Sequence, residues 1–362
     1  MQFIDLKTQF QRVEEQMMAR IKKVLVHGAY IMGPEITELE TVLAHFVGVK
    51  HALVVSSGTD ALLIALMALE VGPGDEVITS PFSFFATAEV ILLLGAKPVF
   101  VDIDPKTYNI DSLALEAAIT SKTKVIMPVS LYGQCADLNA INAIAKRHQL
   151  PVIEDAAQSF GATYHGQKSC AVTTIACTSF FPSKPLGCYG DGGACFTQDA
   201  ELAKRMEEIR THGQSQRYVH TRLGINGRMD TLQAAILLEK LQIFPEELAM
   251  RANVAKRYDE RLPQALVKPY IAPYNTSAFA QYTIQVPNRD LVQKALQEQG
   301  IPTAVHYPIG VHRQAVLQDM YPDQTVYPHT DYAAQVVMSL PMHPYLTEQD
   351  QDKICDALQV FG

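Results

Sequence analysis

One lysine, Lys184, stands between Pro182 and Pro185 in the stretch Thr178-Ser-Phe-Phe-Pro-Ser-Lys-Pro-Leu-Gly-Cys-Tyr-Gly-Asp-Gly-Gly-Ala194. Each proline fixes φ and lacks an N–H, which excludes both from a helix interior or a central strand. Gly187, Gly190, Gly192 and Gly193 follow, and glycine lets a backbone turn tightly and approach a bound group closely. The pattern predicts a rigid loop holding one amine in a semi-enclosed place. Desolvation lowers an amine's pKa toward the range where it is a nucleophile, and imine formation is the chemistry such an amine is suited to. A surface turn carrying an incidental lysine is the competing reading of this segment alone.

Two further features bear on that amine. Ser56-Ser-Gly-Thr-Asp60 reads as a strand-to-helix turn whose free N–H groups suit a phosphate, unless Thr59 or Asp60 merely caps the helix. Asp155 ends the apolar run Pro151-Val-Ile-Glu-Asp155 and is followed by Ala156-Ala-Gln158; a half-buried carboxylate needs a cation or a donor, although a plain helix cap is the bland alternative. Lysine for an aldehyde, carboxylate for a protonated ring nitrogen and helix start for a phosphate together match pyridoxal 5'-phosphate.

The surrounding elements place these features on one rim. Strands are predicted at His51–Ser56, Glu76–Thr79, Lys97–Asp102, Lys124–Val129, Pro151–Asp155 and Ile175–Phe180, and helices at Thr59–Leu69, Ala86–Leu94, Ser112–Ile119 and Leu138–His148. Such alternation implies an α/β fold with a largely parallel sheet covered on both faces, and ligands of such sheets sit beyond the strand C-termini. Helices at Val13–Val26 and Glu35–Phe46 precede this run. Helices Glu201–Arg210 and Met229–Leu241 lead to Phe244-Pro245, where the reading places a boundary between a large domain, 1–245, and a small domain, 246–362. The second opens with a helix at Glu247–Leu262, continues with a strand at Ala280–Val286 and a helix at Asp290–Gln299, and closes with a helix at Gln349–Val360.

The chain's 362 residues suit two cores, and its net charge of −8 without any Lys/Arg run argues against a nucleic-acid surface. Neither a signal peptide nor a membrane-length apolar run is seen, so the reading is a cytoplasmic protein with no membrane partner. Cys135, Cys170, Cys177, Cys188, Cys195 and Cys355 lie at irregular spacings without C-x-x-C, which suits reduced thiols and speaks against a metal site.

From Phe3-Ile-Asp-Leu-Lys7 through Gly33-Pro-Glu35, Ser57-Gly-Thr-Asp60, Val152-Ile-Glu-Asp-Ala-Ala-Gln158, Ser179-Phe-Phe-Pro-Ser-Lys184, Gly190-Asp-Gly-Gly193 and Asn226-Gly-Arg-Met-Asp230, nearly the whole chain resembles the DegT/DnrJ/EryC1/StrS sugar aminotransferases. That resemblance implies the fold type I of pyridoxal-phosphate transferases, with a mostly parallel seven-stranded sheet between helices and a smaller α/β C-terminal domain. It implies that Lys184 holds the cofactor as an imine, Asp155 pairs with the pyridine nitrogen and Gln158 lies beside the ring. Gly58, Thr59 and Ser179 would hold the phosphate and Phe84 would stack on the ring. Asn226 would reach the phosphate of a neighbouring subunit, because the family's sites are built across a homodimer. Many members carry asparagine after the lysine; Pro185 here looks like a subgroup feature.

The wording of Val129–Asp137, Phe181–Gly190, Thr303–Pro308 and Met338–Tyr345 is similar to members that aminate carbon 3 of a UDP-linked 2-acetamido-3-oxo-glucuronate with L-glutamate, for lipopolysaccharide O-antigen sugars. A uronate and glutamate each call for a bidentate cation, and Arg228 fits, with a surface ion pair as its bland reading. His306 and Tyr307 would lie at the substrate mouth, although a lone histidine is usually structural. A dTDP-keto-6-deoxyhexose aminotransferase, a sugar dehydratase and a non-catalytic nucleotide-sugar-binding regulator are the rival readings. The dehydratase relatives carry histidine in place of the lysine.

Overall fold

The computed structural model describes residues 1–320 and 325–361; positions 321–324 and 362 of the expected second domain lie outside the described residues. Seven strands build the large sheet: β1 His51–Val55, β2 Glu76–Thr79, β3 Lys97–Phe100, β4 Thr123–Met127, β5 Ile153–Asp155, β6 Ile175–Ser179 and β7 Gly193–Thr197. β2 pairs in parallel with β3 and β4, and β5 in parallel with β6. The parallel bridges Ile126–Val152 and Val129–Asp155 join the two ladders. β7 is antiparallel to both β6 and β1, giving the order β3-β2-β4-β5-β6-β7-β1. This is the mixed, mostly parallel α/β sheet that the resemblance implies. Because β7 alone is reversed, β1, β5 and β6 end on the same edge.

The strands are apolar on both faces, as parallel strands covered by helices must be. Alternation divides β1 between two cores: Leu53 and Val55 pack with Leu62, Leu66 and Ile209, whereas Ala52 and Val54 pack with Ile36, Leu39 and Leu237. A third core gathers Tyr258, Tyr282, Ile284, Leu296, Met338, Leu340 and Ile354. There the expected strand is found at Tyr282–Gln285, paired antiparallel with Val337–Leu340, a partner that sequence reasoning missed.

The helices expected at Met229–Leu241 and Glu247–Leu262 are instead one 31-residue helix, Thr231–Arg261, with Pro245 inside it. Proline removes one intrahelical N–H donor. Here it lies on the exposed side, while Phe244 and Glu247 on either side stay buried. Packing therefore overrides the break that the dipeptide Phe244-Pro245 suggests.

Candidate active site

Lys184 lies five residues past the end of β6 in a loop folded back on itself, its own N–H donating to the Phe181 carbonyl at 2.9 Å. None of the four glycines of this stretch has a left-handed φ. They permit close packing instead. A Cβ on Gly187 would lie 2.6 Å from the Phe181 carbonyl oxygen, and one on Gly193 would lie 2.4 Å from that of Ser57. The Lys184 amine has no hydrogen-bond or ion-pair partner among the described residues, and the protein around it lowers its pKa, chiefly by desolvation, against the opposing charge of Asp155.

Asp155 ends β5 and is 5% exposed. Burial raises its pKa; the Thr87 hydroxyl, donating at 2.8 Å, the Ala157 N–H at 3.2 Å and the Lys184 charge pull it back. Gln158, also buried, accepts the Tyr132 N–H at 2.8 Å and donates to the Tyr307 hydroxyl at 3.0 Å. Burial, then the Asp155 charge, hold the Tyr307 phenol above its ordinary pKa. Phe84 is exposed at the rim with its ring 6.2 Å from that of Tyr307. His306 has Nδ1 2.9 Å from the Ser339 hydroxyl, and its carbonyl accepts the Tyr132 hydroxyl. Burial, then the Lys184 charge, push its pKa down to about 4, so the imidazole is neutral.

At the end of β1 the helix Gly58–Ala68 begins. Its cap is Ser57, not Thr59 or Asp60: Ser57 Oγ accepts the Asp60 N–H at 3.0 Å, and the Asp60 carboxylate accepts the Ser56 hydroxyl. The amides of Gly58 and Thr59 are thus leading amides of a helix, with no intrahelical acceptor, and suit an anion. A Cβ on Gly58 would lie 2.6 Å from Ser179 Cβ, so only glycine keeps this turn against the last residue of β6. The observed donor set fits pyridoxal phosphate: a desolvated amine without a partner and a buried carboxylate with donors but no ion pair, both among the described residues, and a helix start that a side chain would fill.

Asn226 and Arg228 lie apart from this cluster. The Ser56 N–H bonds the intervening Gly227 carbonyl at 2.9 Å, which sets the pair beside the phosphate turn. Both line a 370 Å³ cavity with Ile31, Ser56, Asp191 and Asp230. One Arg228 terminal nitrogen donates to Asn226 Oδ1 at 2.6 Å, and its Nε is buried without a partner. No ion pair involves Arg228 among the described residues. Thr87, Tyr132 and Ser339 are site residues that the sequence reading missed. Tyr132 and Ser339 had a signal, since they lie within Val129–Asp137 and Met338–Tyr345; Thr87 had none.

All six cysteines are buried with free thiols, and no His, Cys, Asp and Glu group among the described residues could hold a metal. Among those residues no helix is long and apolar enough to cross a membrane.

The family model described as the DegT/DnrJ/EryC1/StrS aminotransferase family matches residues 11–359. Over 358 residues, 99% of each chain, the protein is 59% identical to the UDP-2-acetamido-2-deoxy-3-oxo-D-glucuronate aminotransferase of Pseudomonas aeruginosa. It is 44% identical to a pleiotropic regulatory protein of Geobacillus stearothermophilus, covering 99% of this chain and 97% of the other. An S. venezuelae protein solved with a ketimine intermediate superposes with a TM-score of 0.97 at 36% identity, over 99% of this chain and 97% of that one.

Proposed function

The chain belongs to the DegT/DnrJ/EryC1/StrS aminotransferase family, whose members depend on pyridoxal phosphate, and from that premise we propose that it moves an amino group from L-glutamate to the 3-keto carbon of a UDP-linked 2-acetamido-3-oxo-glucuronate. The observation that carries the chemistry is the desolvated Lys184 amine facing the buried Asp155 carboxylate. The sugar rests on the 59% identity to the glucuronate aminotransferase.

Lys184 Nζ would bond the cofactor aldehyde and Asp155 its ring nitrogen. Gly58, Thr59 and Ser179 would take its phosphate, with Gln158 beside the ring and Phe84 over it. When bound, the cofactor supplies an electron sink that makes the C–H bond next to the transferred nitrogen acidic. Lys184 is the base for that proton: desolvation keeps Nζ neutral more readily than a surface lysine, and the resulting ammonium faces Asp155 until the proton is returned. Donors from Thr87 and Ala157 favour the ionised Asp155 carboxylate against the burial that raises its pKa. The Tyr307 oxygen accepts from Gln158 and, with its pKa raised, keeps its own proton to donate. Asn226 and Arg228 complete the site of a second copy in a homodimer, Asn226 at the phosphate and Arg228 at a substrate carboxylate. The enzyme works in the cytoplasm and needs no metal.

The test is a single turnover. The protein is converted to its amine form with glutamate, freed of glutamate, and given the UDP-3-oxo-uronate or, separately, dTDP-keto-6-deoxyhexoses. Return of the lysine-bound cofactor absorbance with the uronate alone is the expected result. Return only with a deoxyhexose overturns the substrate. Absence of any cofactor absorbance overturns the enzyme and favours the regulatory reading that the Geobacillus relative keeps in view.

A further inference from the structure

The long helix presents a second lysine to the loop that holds the first. Lys240 is completely buried, and its ammonium donates to the Gly187 carbonyl at 2.5 Å while lying 4.8 Å from the centre of the Tyr189 ring. Two turns earlier on the same helix, Gln233 Oε1 accepts the Tyr189 N–H at 3.0 Å. Residues seven apart share one helix face, so Gln233 and Lys240 grip the segment Gly187–Tyr189 as a pair of pegs. Gly187 in turn backs onto the Phe181 and Pro182 carbonyls, with 2.6 and 2.7 Å for a Cβ placed there, and the Phe181 carbonyl accepts the Lys184 N–H. The path from Lys240 Nζ to the Lys184 backbone therefore runs through backbone contacts alone.

A burial this complete is costly for a cation, and it lowers the Lys240 pKa to about 8 despite the charge of Glu247. Glu247, one further seven-residue step along, accepts Gln9 Nε2 at 2.9 Å and the Tyr345 hydroxyl. An apolar side chain of similar length would fill the same space without that cost. A core role alone thus leaves the charge unexplained, whereas a charge-assisted bond to one loop carbonyl uses it.

We propose that Lys240 is a positioning residue for the reacting amine: through the Gly187 carbonyl it fixes the folded-back loop that aims Lys184 toward Asp155. This rests on the reading of Lys184 as the reacting amine and adds a residue to it. The loop is held by the helix, and the amine's direction follows from the loop.

The experiment reads Lys184 without turnover. Cofactor-free protein is exposed to an amine-acylating reagent near neutral pH, and modification of each lysine is followed by mass spectrometry in wild type, Lys240→Met and Lys240→Gln, with thermal unfolding measured on each. Pyridoxal phosphate bound to each variant is also trapped on Lys184 by borohydride. We expect wild-type Lys184 to react faster than exposed lysines. Lys240→Met, folded, should change its labelling and trapping rates by about tenfold, the scale on which small misplacements of a reacting group act, while Lys240→Gln recovers part of the difference because its amide still donates. An ordinary wild-type Lys184 overturns the proposed function. A reactive Lys184 that is unchanged in folded Lys240→Met overturns the positioning role alone. Failure of both variants to fold assigns Lys240 to the core and likewise overturns it.

Discussion

At Asp155 both carboxylate oxygens have donors from within the chain, Thr87 and Ala157, whereas at Arg228 one terminal nitrogen meets Asn226 and Nε is sealed without an acceptor. These two regions lie along the same rim. The Lys184 pocket is organised by its own strands: β5 delivers Asp155, β6 leads to Lys184, and the helices starting at Gly58 and Ala86 bring the phosphate turn and Thr87. Among the described residues, Arg228 in the other cleft meets only Asn226 by its side chain and has no ion pair. A fold can arrange in advance the groups that make and break bonds, because their partners are parts of itself. Groups that recognise an arriving molecule must leave bonding capacity open, and on the proposed reading Asn226 and Arg228, which line a 370 Å³ cavity, are such groups.

Removing the base strikes the first region hardest. Lys184→Ala is expected to retain pyridoxal phosphate yet lose transfer by at least about 10³-fold in single-turnover kinetics; retained turnover would remove the pocket from the chemistry. Arg228→Ala is expected to cost about 10²-fold in kcat/KM, mainly through KM, with the cofactor absorbance intact. Mixing Lys184→Ala and Arg228→Ala protomers sharpens the contrast. If the cleft of one copy serves the pocket of another, mixed dimers regain activity that neither variant has alone, and no recovery would place both regions in one chain's site. Thr87→Val removes one donor from Asp155 at nearly constant volume and is expected to reduce kcat about tenfold, in line with the loss of one bond to a buried charge.

The smallest effect is in stability against pH. The folded pKa of His306 is pushed down to about 4 from 6.5, so between those values the unfolded chain binds a proton that the native chain does not. Stability therefore falls as pH drops through that window, and His306→Gln is expected to flatten the slope by up to about one proton, read from thermal unfolding across the range.

The placing of Lys184, Asp155 and Gly58 beyond strand ends is legible in the sequence, because apolar runs stop just before them. The parallel sheet is legible for a related reason, since apolar runs alternate with helical spacing. Thr87, Tyr132 and Lys240 are not. They reach their partners across 68, 174 and 53 positions of chain, and nothing local marks a threonine in a helix as the donor to a carboxylate on another strand. Four glycines invite a prediction of tight turns, yet what the loop requires of them is the absence of a Cβ, against neighbouring carbonyls at Gly187 and Gly193 and against side chains at Gly190 and Gly192. Pro245 misleads for the opposite reason: its local rule is sound, but buried Phe244 and Glu247 on either side hold the helix together.

That unbroken helix has a consequence for how the molecule comes apart. At 31 residues it is about 46 Å long, and it places Leu237, Leu241 and Phe244 in a core of the large sheet and Val254, Ala255 and Tyr258 in the core beneath Tyr282–Gln285. Melting either core alone would leave half of a hydrogen-bonded rod without its apolar cover, so neither half gains its full freedom until the other lets go. The chain is expected to unfold in one cooperative step, with amides near the proline exchanging by global rather than local opening.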